Sequence, residues 1–229
     1  VKTIGLLGGM SWESTVPYYQ IINRAVKERL GGLHSAKIAL YSVDFAEVEE
    51  RMRSDRWEDA AEILIRGASA IESAGADFLV LCTNTLHKVA PQIEKQIEIP
   101  LLHIADVTAE AVRARGIRTV GFLATRYTME HDFYRERLEK ASLRVVIPEK
   151  SDRDEIHRVI FEELVVGRFE RRSRAMYGQV IERLVQAGTE AIVLACTEIG
   201  LLIDASDSAV PLFDTTEIHA RAAVECALS

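Results

Sequence analysis

Cysteine is scarce in this chain, with three in 229 residues. So odd and sparse a count argues against a secreted disulfide scaffold and for a reducing compartment, so a cytoplasmic location is expected. No apolar run approaches the ~20 residues of a membrane span, and the opening stretch Ile4 to Met10 is too short for a secretory signal. Positive charge is also in short supply: 28 Lys and Arg against 35 Asp and Glu give a formal net charge of −7. The four arginines of RFERRSR (168–174) form one short local run, read as a solvated face. Neither nucleic acid nor a membrane surface is therefore expected as a partner. No G-x-G-x-x-G or Walker pattern follows the first strand, which argues against nucleotide binding. Nor is there an H-x-x-x-H or Cys–His cluster at ligand spacing, so no metal is expected. His87, His103 and His219 are read as packed or hydrogen-bonding side chains, with His87 the best supporting candidate near a site.

The composition is that of a folded soluble protein: 48% hydrophobic, 28% charged, mean hydropathy +0.03. Residues 1–7 (VKTIGLL) read as a buried strand closed by Gly8-Gly9, and 38–43 as a second. Tyr19, Ile22, Val26 and Leu30 are spaced 3, 4 and 4, which predicts one helix face. Trp57, Ala61, Leu64, Ala68 and Ile71 form another helical stripe, closed by Gly75. Residues 78–81 lack polar alternation, as in a parallel strand covered on both sides. Strands at 119–123 and 191–194 follow, with helices near 153–166 and 174–187. Strands alternating with helices mean an α/β fold.

An internal repeat adds more. TIGLLGG (3–9) resembles TVGFLAT (119–125) at an offset of 116. GADFLVLCTNT (75–85) resembles GTEAIVLACTE (188–198) at 113, and IPLLHIAD (99–106) resembles VPLFDTTE (210–217) at 111. Three matches in one order predict two related lobes facing each other across a cleft, with strand carboxyl ends lining it. The lobes are expected to comprise residues 1–105 with 211–229, and 106–210.

Ungapped alignment of the middle repeat sets Cys196 opposite Thr83, Thr197 opposite Asn84 and Ala195 opposite Cys82. Neighbouring strand residues face opposite ways, so Cys82 and Thr83 cannot both address one ligand if the strand persists. The symmetry nominates Thr83 and Cys196 and leaves Cys82 as a small buried hydrophobe. A thiolate is a good base and nucleophile, favoured where backbone N–H groups point at it. The alternative for Cys196 is simple burial, and Cys226, in an apolar C-terminal helix, is read as structural.

These segments carry a resemblance. GLLGGMSWEST (5–15), CTNTLHK (82–88) and CTEIGLL (196–202) resemble the aspartate/glutamate racemase superfamily, and TRYTMEHDFY (125–134) and FDTTEIHA (213–220) extend the match over essentially the whole chain. The resemblance implies an α/β enzyme of two pseudo-symmetric Rossmann-like lobes with mostly parallel sheets, its active site between them. It also implies a homodimer that racemises a small amino acid without pyridoxal phosphate or any other cofactor. Family members flank the substrate Cα with two cysteines. Here threonine stands at the first position, which looks like the L-aspartate/glutamate-specific subgroup that pairs one threonine with one cysteine. Thr83 and Cys196 are thus the expected catalytic pair.

Met10 and Ser11, with the glycines before them, are expected to offer backbone N–H groups to a carboxylate. Asn84, Thr85 and Thr197 are expected to hold the α-carboxylate and α-amino groups, and Thr125, the repeat equivalent of Gly9, to touch the ligand. Subgroup relatives carry glutamine where this chain has Met52, which either packs in the core or faces the cleft. Glu163 corresponds to a glutamate near the substrate in the subgroup; a partly exposed helix flank is its other reading. The expected activity is racemisation of L-aspartate or L-glutamate. A one-cysteine decarboxylase or cis–trans isomerase of dicarboxylates, and a non-catalytic amino-acid binder, are the alternatives.

Overall fold

The computed structural model describes residues 1–229. Chain contacts divide it into two units, Val1–His103 with His219–Ser229, and Ile104–Ile218. Each is built on a four-stranded parallel sheet, so the α/β expectation holds.

In the first unit the sheet order is β2 (Ile38–Ser42), β1 (Ile4–Gly8), β3 (Phe78–Leu81), β4 (Leu101–Leu102). Alternate residues of a strand point to opposite faces. Ile4, Leu6, Phe78, Val80 and Cys82 thereby share one core with Tyr18, Ile22 and Val26 of α1 (Trp12–Leu30) and with Ala220, Ala223 and Val224 of α11 (Thr215–Leu228). The buried face of α1 is Tyr18, Ile22, Ala25 and Val26. Tyr19 and Leu30, predicted to belong to that face, are 52% and 41% exposed. At about 100° per residue both sets fall within one helical stripe, so spacing does not choose between them; packing against the sheet and α11 selects Tyr18. The stripe of α3 (Trp57–Ser73) is buried as predicted, and Gly75, at φ +85°, closes it by donating to the Glu72 carbonyl.

The second unit repeats the pattern: β6 (Arg144–Val146), β5 (Thr119–Ala124), β7 (Ala191–Ala195), β8 (Leu212–Asp214). Strand register agrees residue for residue under the sequence offsets. Ile4↔Phe78 becomes Val120↔Ala191, and Leu79↔Leu101 becomes Ile192↔Leu212. The repeat read from the sequence is therefore a repeat of sheet geometry. Strand β6 carries too few residues for a sequence signal. Helices α8 (Lys150–Glu162) and α9 (Arg171–Gln186) start about three residues before their predicted positions, and α8 ends before a single 3-10 turn, Leu164–Val166, closed by Gly167 at φ +71°. No helix is long and apolar enough to cross a membrane.

Candidate active site

In the first unit, β1 and β3 pair up to Leu7↔Leu81, so the segments leaving their carboxyl ends emerge side by side. One carries Met10 and Ser11, the other Thr83, Asn84 and Thr85, and all five are buried. Cys82 points into the core shared with α1 and α11, and burial pushes its thiol far up, which keeps it an inert SH. Thr83 lies just beyond the ladder. Its N–H donates to the Leu81 carbonyl at 2.8 Å, and its own carbonyl accepts from His87 Nδ1 at 2.7 Å.

The glycine turn after β1 has a different purpose from the one predicted for Gly9. The Gly9 N–H donates to Thr15 Oγ1 at 2.9 Å, and that hydroxyl donates to the Ser11 carbonyl at 2.9 Å. The Gly9 amide is thus spent inside the turn. Its φ of +91° and the crowding of its α-carbon explain the glycine: a Cβ there would sit 2.3 Å from the Val43 carbonyl oxygen. The peptide Met10–Ser11 that follows is cis. Met52 lies on α2 (Phe45–Arg53), buried together with Val48.

In the second unit the pair Ala124↔Ala195 delivers Thr125 and Cys196 next to each other at the carboxyl edge. Thr125 caps α6 (Arg126–Glu130), its hydroxyl accepting from the Thr128 N–H at 3.2 Å. Cys196 is 6% exposed, and its thiol donates to Glu198 Oε2 at 3.2 Å. Thr197 Oγ1 donates to the same oxygen at 2.8 Å. Burial raises the Cys196 pKa well above the thiol range, and the Glu198 charge raises it further. Backbone N–H groups of Glu198 and Ile199 do point at the sulfur and pull the other way, but they lose. The resting group is a thiol with its proton directed at a carboxylate.

Glu198 was not singled out from the sequence. The available signal was an acid two residues after the cysteine, at the repeat equivalent of Thr85, and its burial at 2% exposure is what makes it notable.

Glu163 is no partly exposed flank. It is 4% exposed at the end of α8, accepts from Ser173 Oγ, and pairs with Arg158 at 3.3 Å and Arg172 at 3.6 Å. Arg172 belongs to the run predicted to be only solvated, as does Arg174, which binds Asp204 and Asp207. These partners compensate the Glu163 charge where it stands. The Tyr177 hydroxyl on α9 is buried without a hydrogen-bond partner. Burial drives its pKa up, and Cys196, Glu198 and Glu163 add to the effect, so these groups share one neighbourhood.

The histidines pack as expected. The His87 and His103 rings lie 4.4 Å apart, and His219 is held at both nitrogens, by the Tyr18 hydroxyl at 2.9 Å and the Leu102 carbonyl at 2.8 Å. No group of three or more His, Cys, Asp or Glu is gathered for a metal ion.

The family model Asp/Glu/Hydantoin racemase matches residues 7–223. A crystal structure from Yersinia pestis, described as a candidate Asp/Glu racemase, is 52% identical over the full length of both chains with a TM-score of 0.92. An aspartate racemase homologue from Pyrococcus horikoshii OT3 is 34% identical, again over 100% of both chains, with a TM-score of 0.86. A broad-specificity amino-acid racemase of Bacillus subtilis is 23% identical over 99% of this chain and 98% of its own. With the family model covering nearly all of both repeats, the chain belongs to the Asp/Glu/Hydantoin racemase family.

Proposed function

We propose that the protein is a cofactor-independent amino-acid racemase acting on L-aspartate or L-glutamate, with Cys196 and Thr83 serving opposite faces of the substrate Cα. The observation that carries this reading is the buried Cys196 thiol donating to Glu198 at the end of β7, at the repeat position of Thr83. A thiol whose proton is already directed at a carboxylate needs one short transfer to become a base. In the first step Glu198 takes the thiol proton and the thiolate removes the Cα proton, leaving the electron pair on Cα. In the second, the Thr83 hydroxyl gives its proton to the opposite face and is reprotonated from solvent, to which Glu198 releases the proton it took. Donors aimed at the substrate carboxylate lower the cost of the carbanion; the backbone around Met10 and Ser11, and the side chains of Asn84, Thr85, Thr125 and Thr197, are proposed for this task.

An alcohol is a far weaker acid than a thiol, so the two directions differ in kcat. The equilibrium constant between enantiomers is one, so kcat/KM is the same in both. Glu163, compensated by Arg158 and Arg172, stands without repelling an acidic substrate. A homodimer is part of the same proposal; sedimentation that returns only the 25.6 kDa monomer refutes it.

The test is proton NMR of L-aspartate and L-glutamate with the purified protein in D2O, without added cofactor, beside Cys196→Ser. Loss of the Cα proton signal with the wild type alone, followed by appearance of the D-enantiomer on chiral analysis, supports the reading. No exchange across a panel of amino acids refutes it and leaves the decarboxylase, isomerase or binding readings.

A further inference from the structure

We infer that His87 is a positioning residue for Thr83, its Nδ1–H clamping the Thr83 carbonyl so that the Cα–Cβ bond carrying the threonine hydroxyl keeps one direction toward the substrate Cα. This rests on the racemase reading above and concerns how its weaker acid is made effective. A carbonyl only accepts, so the 2.7 Å contact requires the proton on His87 Nδ1. Both peptide planes flanking the Thr83 Cα are then tied, one through its N–H to Leu81 and the other through its carbonyl to His87. Two fixed planes fix φ and ψ, and with them the direction of the Cα–Cβ bond. The hydroxyl is carried one bond further on.

The clamp has a firm backing. The His87 ring is buried edge-on against His103, with centroids 4.4 Å apart, and His219 lies 5.9 Å away. His219 cannot turn without breaking its bonds to Tyr18 and to the Leu102 carbonyl. This arrangement is absent from the other half of the repeat. At the same offset of 113, His87 corresponds to Gly200, which has no side chain to reach the Cys196 carbonyl. The partner of His87 changes as well: His103 corresponds to Asp214, and a Cβ on Gly200 would lie 2.3 Å from Asp214 Oδ2. The imidazole clamp therefore accompanies the threonine and not the cysteine. A hydroxyl has a shorter reach and a poorer acidity than a thiol, and a misplacement of about 1 Å costs on the order of 100-fold in rate.

The experiment separates exchange from inversion. L- and D-substrate are incubated in D2O with the wild type, His87→Leu, His87→Asn and Thr83→Val. Deuterium gained with retained configuration and deuterium gained with inversion are measured by NMR and chiral chromatography. Abstraction and return by Cys196 alone gives exchange with retention, whereas inversion needs Thr83. For His87→Leu the expected result is a ratio of retention to inversion raised at least tenfold, with Cys196-dependent exchange kept within about threefold. His87→Asn, whose amide can place a donor near Nδ1, restores most of the inversion. In a Thr83→Val background His87→Leu changes the ratio no further. A proportional fall of both processes, or no change in either, overturns the inference while leaving the racemase reading intact. Absence of exchange in the wild type overturns both. Should His87→Leu fail to fold, His87→Gln, which moves the donor to the Nε2 position, is compared with His87→Asn, and equal ratios overturn the inference.

Discussion

The thiol of Cys196 and the hydroxyl of Thr197 both donate to one oxygen of Glu198, at 3.2 and 2.8 Å. Burial and then the Glu198 carboxylate charge raise the thiol pKa, and the backbone N–H groups of Glu198 and Ile199 oppose them. Glu198→Gln removes that charge. Racemisation is expected to fall by roughly 10²- to 10⁴-fold, the usual worth of a general base. The Cys196 thiol is at the same time expected to ionise at lower pH than in the wild type. Iodoacetamide alkylation followed against pH reads the second effect, and an unchanged or higher midpoint refutes the assignment.

Thr83→Cys gives the opposite face a stronger acid and base. In the direction with the smaller kcat, where proton removal falls to position 83, a gain of about tenfold or more is expected. Cys82→Ala, one residue away but turned into the core, leaves turnover within about twofold and costs about 1 kcal/mol of stability. Steady-state kinetics in both directions on both variants decides which neighbour addresses the substrate. Loss of activity in Cys82→Ala with no gain in Thr83→Cys reverses the assignment.

Gly9→Ala is expected to destabilise the protein by at least ~2 kcal/mol, since it adds left-handed strain to a close backbone contact. Gly75 offers the control: its φ is +85°, yet nothing lies within 4 Å of a Cβ built there, so Gly75→Ala costs about 1 kcal/mol. Urea unfolding of both variants measures the difference. Equal losses mean that the contact with Val43 is not what demands glycine.

Burial lowers the His219 pKa from 6.5 to about 4, and burial followed by the nearby Arg126 does the same to His157. Between those values the unfolded chain binds more protons than the folded one, so stability falls as pH drops from about 6.5 to 4 and is fully present above 6.5. For the fully buried His219 the contribution is on the order of 3 kcal/mol. Chemical denaturation at pH 7, 6, 5 and 4 is expected to show this loss, and His219→Gln to lessen its slope. A wild-type curve flat from pH 7 to 4.5 refutes the account.

The sequence by itself determined the α/β class, the duplication and the equivalence of Thr83 and Cys196 as repeat positions. Apolar periodicity sets which face of each element is buried, and two copies of one register leave matching strings of residues at matching offsets. It also separated Cys82 from Thr83, because neighbours on a strand face opposite ways. Only the tertiary structure decided what surrounds these residues. Glu198 became notable through its burial and its contact with the sulfur, and neither is a property of local pattern. The Cys196 pKa is a contest between burial, a carboxylate and two backbone amides, whose outcome depends on three-dimensional distance. A partly exposed flank stayed open as one of two readings of Glu163 because its partners Ser173 and Arg172 come from the next helix. Tyr19 was placed on the wrong side of α1 because a helical stripe can be drawn through several residue sets, and only packing against β1, β3 and α11 selects Tyr18. Gly9 was read as an opening for a ligand, yet the approach that requires it is made by the chain itself, at Val43. Spacing along the chain fixes which side chains share a face. Distances between elements fix which of them touch, and the charge and proton balance of the site follow from those distances.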